Sequence, residues 1–89
     1  MQIEHLVTMA NQIGDFFKFF PDQAQAKKDI AQHLSRFWAK NMRKQILAHT
    51  LDKNGDGLEA IVSDAIKEHL NNKDAKLQLT ETATQYLGQ

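Results

Sequence analysis

The sequence predicts an all-α fold: a small bundle of about four helices followed by a C-terminal tail. Three observations carry this reading. Apolar residues recur at three- and four-residue spacing as far as Leu70, without strand-like alternation. Only Pro21 and the Asn54–Gly57 cluster punctuate that rhythm strongly. At 89 residues the chain suits a single domain with a modest core. Residues 1–70 are read as the helical domain. Residues 71–89 are a polar tail that fits neither period, either a short helix or disordered.

The first helix is expected from about Ile3 to Phe19. Ile3, Leu6, Val7, Ala10, Ile13 and Phe17 form its buried face. A second stripe, Met9, Phe16 and Phe19 with Gln12 and His5 in line, is more apolar surface than one face of a small bundle needs. Gly14 lies mid-helix, at a cost of about 1 kcal/mol against alanine, where it would let another helix approach. Pro21 then disfavours helical geometry at Phe20. Asp22 places a negative charge at the start of the second helix, where the macrodipole favours it.

The second helix is expected to reach Trp38 and to bury Ala26, Ile30, Leu34 and Phe37, with Ala31 and Trp38 at the edge of that face. Asn41 reads as the cap of a third helix, Met42–Leu51, with Met42, Ile46 and Thr50 in line. The 38–41 break reads equally as a kink in one longer helix. The fourth helix, Leu58 to about Leu70, has the cleanest stripe: Leu58, Ile61, Val62, Ala65, Ile66 and His69. In the tail, Leu77, Leu79, Tyr86 and Leu87 offer anchors.

Composition removes several function classes. The chain has no cysteine, hence no disulfide, thiolate metal site or cysteine nucleophile, which suits a reducing compartment. No apolar run approaches the roughly 20 residues of a membrane span, and the N-terminus lacks the basic region of a signal peptide. A soluble cytoplasmic protein is expected. Formal net charge is zero, yet residues 21–51 carry six Lys/Arg against two Asp, and residues 52–89 carry four Lys against seven Asp/Glu. A nucleic-acid binder usually shows a larger basic excess.

"LDKNGDGLEAIVSD" begins like a calcium loop, with Asp52, Asn54 and Asp56 at the first, third and fifth positions and Gly57 at the sixth. The pattern then fails. The twelfth position, where a bidentate acid should close the site, is Ser63, and there is no second loop to pair with it. A helix–helix connection rich in left-handed turn residues explains the same letters. The four histidines form no i,i+4 pair and no HExxH, and read as residues at core edges. No nucleophile with a local base and no glycine-rich phosphate loop occurs. "RFWAKNMRK" sets Arg36, Lys40, Arg43 and Lys44 around Phe37 and Trp38. That pattern suits contact with phosphates or an acidic protein surface, or a solvated basic face beside core aromatics.

Four stretches in order, "MANQIGDFF" (Met9 to Phe17), "HLSRFW" (His33 to Trp38), "NMRKQILAH" (Asn41 to His49) and "GDGL" (Gly55 to Leu58), make the chain similar to the delta subunit of cytosolic NAD-dependent, molybdenum-containing formate dehydrogenases. The resemblance runs from about Leu6 to Leu70. It departs at Ala39-Lys40, where the family often has Asp-Pro, and in the charged glycine turn. The tail has no counterpart.

The resemblance implies a non-catalytic accessory subunit that supports assembly, stability or cofactor loading. Molybdopterin, iron–sulfur clusters, FMN and NAD are then expected in partner subunits, none in this chain. The alpha, catalytic subunit is the expected partner. Met9, Asn11, Gln12, Phe16, Arg36, Trp38 and Arg43 are the candidate contact residues, apolar members supplying area and Trp and Arg serving as anchors. The unmatched stripe through Met9, Phe16 and Phe19 predicts a homodimer for the isolated chain. The rival readings are a calcium-binding helical module using Asp52–Asp64 and a helix-turn-helix nucleic-acid binder using the basic patch.

Overall fold

The computed structural model describes residues 2–70, and these contain four helices and no strand. α1 spans Ile3–Phe17, α2 Gln23–Phe37, α3 Lys40–Asp52 and α4 Ala60–Ala65; Ile66–Leu70 continues α4 as one wider π-helical turn. The expected anchors Leu77, Leu79, Tyr86 and Leu87 lie outside the described residues.

α1 packs against α2, α3 and α4, and the π-turn packs against α2 and α3. The first and last helical segments therefore form the middle of the bundle. Leu6, Ala10, Leu34, Trp38, Ile46, Val62, Ile66 and Leu70 make one core cluster. Thr50 is buried with them, its hydroxyl donating to the Ile46 carbonyl at 2.7 Å. On α1 the fully buried line is Leu6, Ala10 and Gly14, flanked by half-buried Ile3, Val7, Met9 and Ile13. At Gly14 a β-carbon would run into Cγ2 of Val62, so α1 and α4 touch where a side chain is missing.

The corner after α1 follows the expected logic with shifted limits. α1 ends at Phe17, two residues earlier than its apolar pattern suggests, and Phe19 projects from the turn. The Gln23 side-chain amide donates to the carbonyls of Lys18 (3.0 Å) and Phe20 (2.7 Å), occupying acceptors that the finished helix leaves open. Asp22 is the N-cap of α2, accepting from the Gln25 amide at 3.1 Å.

The second corner settles one open alternative and corrects two expectations. Trp38 (φ −90°, ψ 141°) and Ala39 (φ −63°, ψ 152°) are both extended, so α2 and α3 are separate helices joined by a sharp bend. The cap of α3 is Ala39, without a side-chain bond, and Asn41 is already inside the helix. The aromatic pair is exchanged: Trp38 is 6% exposed and belongs to the core, whereas Phe37 is 72% exposed. Leaving helical geometry at residue 38 turns the indole inward and leaves Phe37 on the outer side of the last α2 turn.

α4 begins at Ala60, two residues later than expected. Residues 53–59 form the connection, with Asn54, Gly55 and Gly57 all at positive φ (55°, 66° and 85°).

Candidate interaction surface

Four of the seven candidate contact residues lie together. Met9, Gln12 and Phe16, at i, i+3 and i+7 on α1, line a cleft of about 360 Å³. Ile13 from the same helix, His33 from α2 and Trp38 from the second corner complete it. Met9 is half-buried and packs on the core, Gln12 is exposed, and Phe16 is 69% exposed. Trp38 supplies a wall of the cleft from within the core.

Phenylalanines extend this apolar surface. The Phe16 ring meets Phe17 edge-on at 4.9 Å and tilts over Phe20 at 5.9 Å, and Phe17 and Phe20 meet at 5.3 Å. Phe19 is 82% exposed, with the Lys18 ammonium 5.2 Å from its ring centre. On α2, Phe37 lies 4.7 Å from the His33 ring. Soluble monomers rarely gather so many exposed aromatic rings without use for them. Phe37 is not among the seven candidate contact residues, because its helical spacing assigns it to the core.

The other three candidates lie elsewhere. Asn11 joins α1 to the glycine connection: its Nδ2 donates to the Gly57 carbonyl and its Oδ1 accepts from the Glu59 amide, each at 2.9 Å. Arg43 reaches back to the end of α2, donating from Nη1 to the Trp38 carbonyl at 2.6 Å and the Ser35 carbonyl at 3.3 Å. Both side chains thus have work inside the fold. Arg36 is exposed in the last turn of α2.

Asp52, Asn54 and Asp56 are exposed, and Asp52 is still the last residue of α3. The connection is tied by its own backbone and by its neighbours. The His49 carbonyl accepts from Lys53 and Gly55, and the His49 ring nitrogen Nε2 bonds the Asp56 carbonyl at 2.6 Å. A β-carbon on Gly55 would lie 2.8 Å from the Ser63 hydroxyl, which shows how closely the turn folds over the start of α4. Among the described residues no group of three or more His, Asp or Glu is placed to hold a metal ion.

A second feature lay beyond sequence reasoning. Lys18 bridges two carboxylates, Asp15 at 2.9 Å and Glu59 at 3.6 Å. The hydrogen bond to Lys18, then that with Glu59, holds the Asp15 carboxyl below its ordinary range. The bond with Asp15, then desolvation, holds the Glu59 carboxyl above it, and Lys18 itself is raised, first by its bond to Asp15. Glu59 is far from Asp15 in sequence, so no local pattern announces the pair.

Comparison with known proteins settles the lineage. The family described as the NADH-dependent formate dehydrogenase delta subunit, FdsD, matches residues 5–66. The chain belongs to the FdsD family. No curated protein and no solved structure gives a match. The FdsD match takes in α1 from His5 onward, α2, α3, the glycine connection and α4, and with them every candidate contact residue. It stops one residue into the π-turn. No helix among the described residues of this FdsD chain is long and apolar enough to cross a membrane.

Proposed function

We propose that this chain is a non-catalytic accessory subunit of an NAD-dependent formate dehydrogenase and acts by binding the catalytic alpha subunit. The observation that carries the reading is the cleft at Met9, Gln12 and Phe16 with its exposed phenylalanine border, on a chain of a subunit family. Leaving such rings in water forgoes about 25 cal/mol for each Å² of apolar surface that a partner would cover. Membership in the FdsD family supports a place in that enzyme. The molybdopterin, iron–sulfur, FMN and NAD groups then belong to its other subunits, and this chain contributes to assembly, stability or cofactor loading in the cytoplasm.

The test is genetic and biochemical together. In the native cells, a tagged copy of the chain should co-purify with the alpha subunit, identified by its mass. Removing the chain should lower the molybdenum content of the alpha subunit or the yield of the assembled enzyme, and formate oxidation in proportion. A fully loaded, fully assembled and fully active enzyme without this chain would defeat the reading.

A further inference from the structure

We propose that the α1–α2 cleft receives an amphipathic helix of the alpha subunit, its apolar face bordered by carboxylates that meet Arg36 and Lys40. The inference deepens the accessory-subunit reading and rests on it.

Two observations choose this occupant. The first is shape. Met9, Gln12 and Phe16 form a line two helical turns long on α1, and His33 faces them from α2 across a cleft of about 360 Å³. A ridge at i, i+3 and i+7 beside a groove between two helices is the surface onto which a further helix packs. An extended strand would need an open sheet edge, and the described residues contain no sheet.

The second is charge. From His33 to Leu51 the chain carries four Lys/Arg residues and no acidic one. Arg43 is committed to the carbonyls at the end of α2. Arg36 lies one helical turn beyond His33 on α2, and Lys40 opens α3 two residues after Trp38, so each is close in sequence to a cleft-lining residue without lining the cleft itself. Both are exposed, and no ion pair holds either among the described residues. On α1 the acid next to Phe16 in sequence, Asp15, is bonded to Lys18. An apolar floor beside free guanidinium and ammonium groups fits an apolar ridge flanked by Asp or Glu. A second copy of this chain fits less well, because a two-fold contact through the cleft would bring another Arg36 and Lys40 to the same border.

The test uses the full chain in its native enzyme. Phe16→Asp and Phe37→Asp alter exposed rings, so thermal melts should stay near that of the unmodified chain, while capture of the alpha subunit should fall to background. Arg36→Glu combined with Lys40→Glu should weaken capture about tenfold, and added salt should weaken the unmodified chain more than this variant. A photo-reactive phenylalanine analogue at position 16 should cross-link to an alpha-subunit peptide with apolar residues at helical spacing and flanking Asp or Glu. If the unmodified chain captures the alpha subunit and both phenylalanine variants capture it equally well, the cleft is not the docking site, while the accessory reading stands. If the charge-reversed variant is unaffected, or the cross-linked peptide lacks acidic residues, the occupant's chemistry is wrong. A dimer in sedimentation that Phe16→Asp dissolves without loss of capture would assign the cleft to a second copy and overturn the proposal. Failure of the unmodified chain to capture the alpha subunit at all would remove the accessory reading itself.

Discussion

Asn11 holds Gly57 from across the bundle: its amide donates to the Gly57 carbonyl at 2.9 Å, a contact between residues 46 apart in sequence. The same side chain accepts from the Glu59 amide, so one planar group ties both flanks of Leu58 to α1. Only an amide supplies a donor and an acceptor in that arrangement; aspartate supplies no donor. Asn11→Ala should lower stability by about 1–3 kcal/mol, since it leaves a carbonyl and an amide unpaired. Urea denaturation measures the loss, and hydrogen exchange should quicken selectively at the Glu59 amide. An unchanged midpoint would mean that water replaces the side chain without cost.

Gly14 and Val62 should show strong energetic coupling. Gly14→Ala gains about 1 kcal/mol of helix propensity but drives a methyl into Val62, whose branched side chain has little rotamer freedom to yield. Overpacking costs typically about 1–3 kcal/mol, so the variant should be no more stable than the native chain. Combined with Val62→Ala, the same substitution should become stabilising relative to Val62→Ala alone. Simple additivity in the double-mutant cycle would show that the helices separate freely.

Phe37 and Trp38 should behave oppositely despite being neighbours. Trp38→Ala empties a core position and should cost about 3–5 kcal/mol, enough to unfold much of a small domain. Phe37→Ala removes an exposed ring and should stay within about 0.5 kcal/mol. Thermal melts of the two variants decide this directly, and equal losses would contradict the inward turn at residue 38.

The carboxylates around Lys18 give a pH signature. In Asp15→Asn, the Glu59 carboxyl should titrate closer to its ordinary range, because its largest upward influence is gone. In Lys18→Met it should titrate still higher than in the native chain. NMR titration of the Glu59 side chain tests both shifts. Asp15 is depressed, so its stabilising contribution is present above its unfolded value and is lost as pH falls through its folded value. Glu59 is raised, so its contribution is present below its unfolded value and is lost as pH rises through its folded value. The two slopes oppose one another across the carboxylate range. Lys18→Met leaves two ionised acids facing each other, so its stability deficit should grow as pH rises through that range. A deficit independent of pH would mean that the three groups do not interact in solution.

Much of this architecture is legible in the letters. The stripe on α1, the Pro21–Asp22 corner and the glycine connection follow from spacing and turn chemistry, and the structure has all three. The second corner is not legible in that way. No glycine or proline lies between Asp22 and Lys53, so the end of α2 is set by what Trp38 gains in the core and by Arg43 binding the freed carbonyls. Those are tertiary effects, and they moved one aromatic inward and its neighbour outward. The cleft was half legible: Met9, Gln12 and Phe16 follow from one helix face, whereas His33 joins them only through helix packing. The Asp15–Glu59 pair depends wholly on the path of the chain.

The contact between Asn11 and Glu59 also sets a clock. Those residues are separated by 48 positions, and the core that covers Leu6 and Ala10 is completed by Val62, Ile66 and Leu70. At translation rates of about 5–20 residues per second, roughly 2–10 s pass between synthesis of Asn11 and synthesis of its partner. During that interval α2 and α3 are made and can meet α1, but the side of it that packs on α4 is still uncovered. The part of the α1 face that Val62, Ile66 and Leu70 cover is therefore the last to be buried among the described residues.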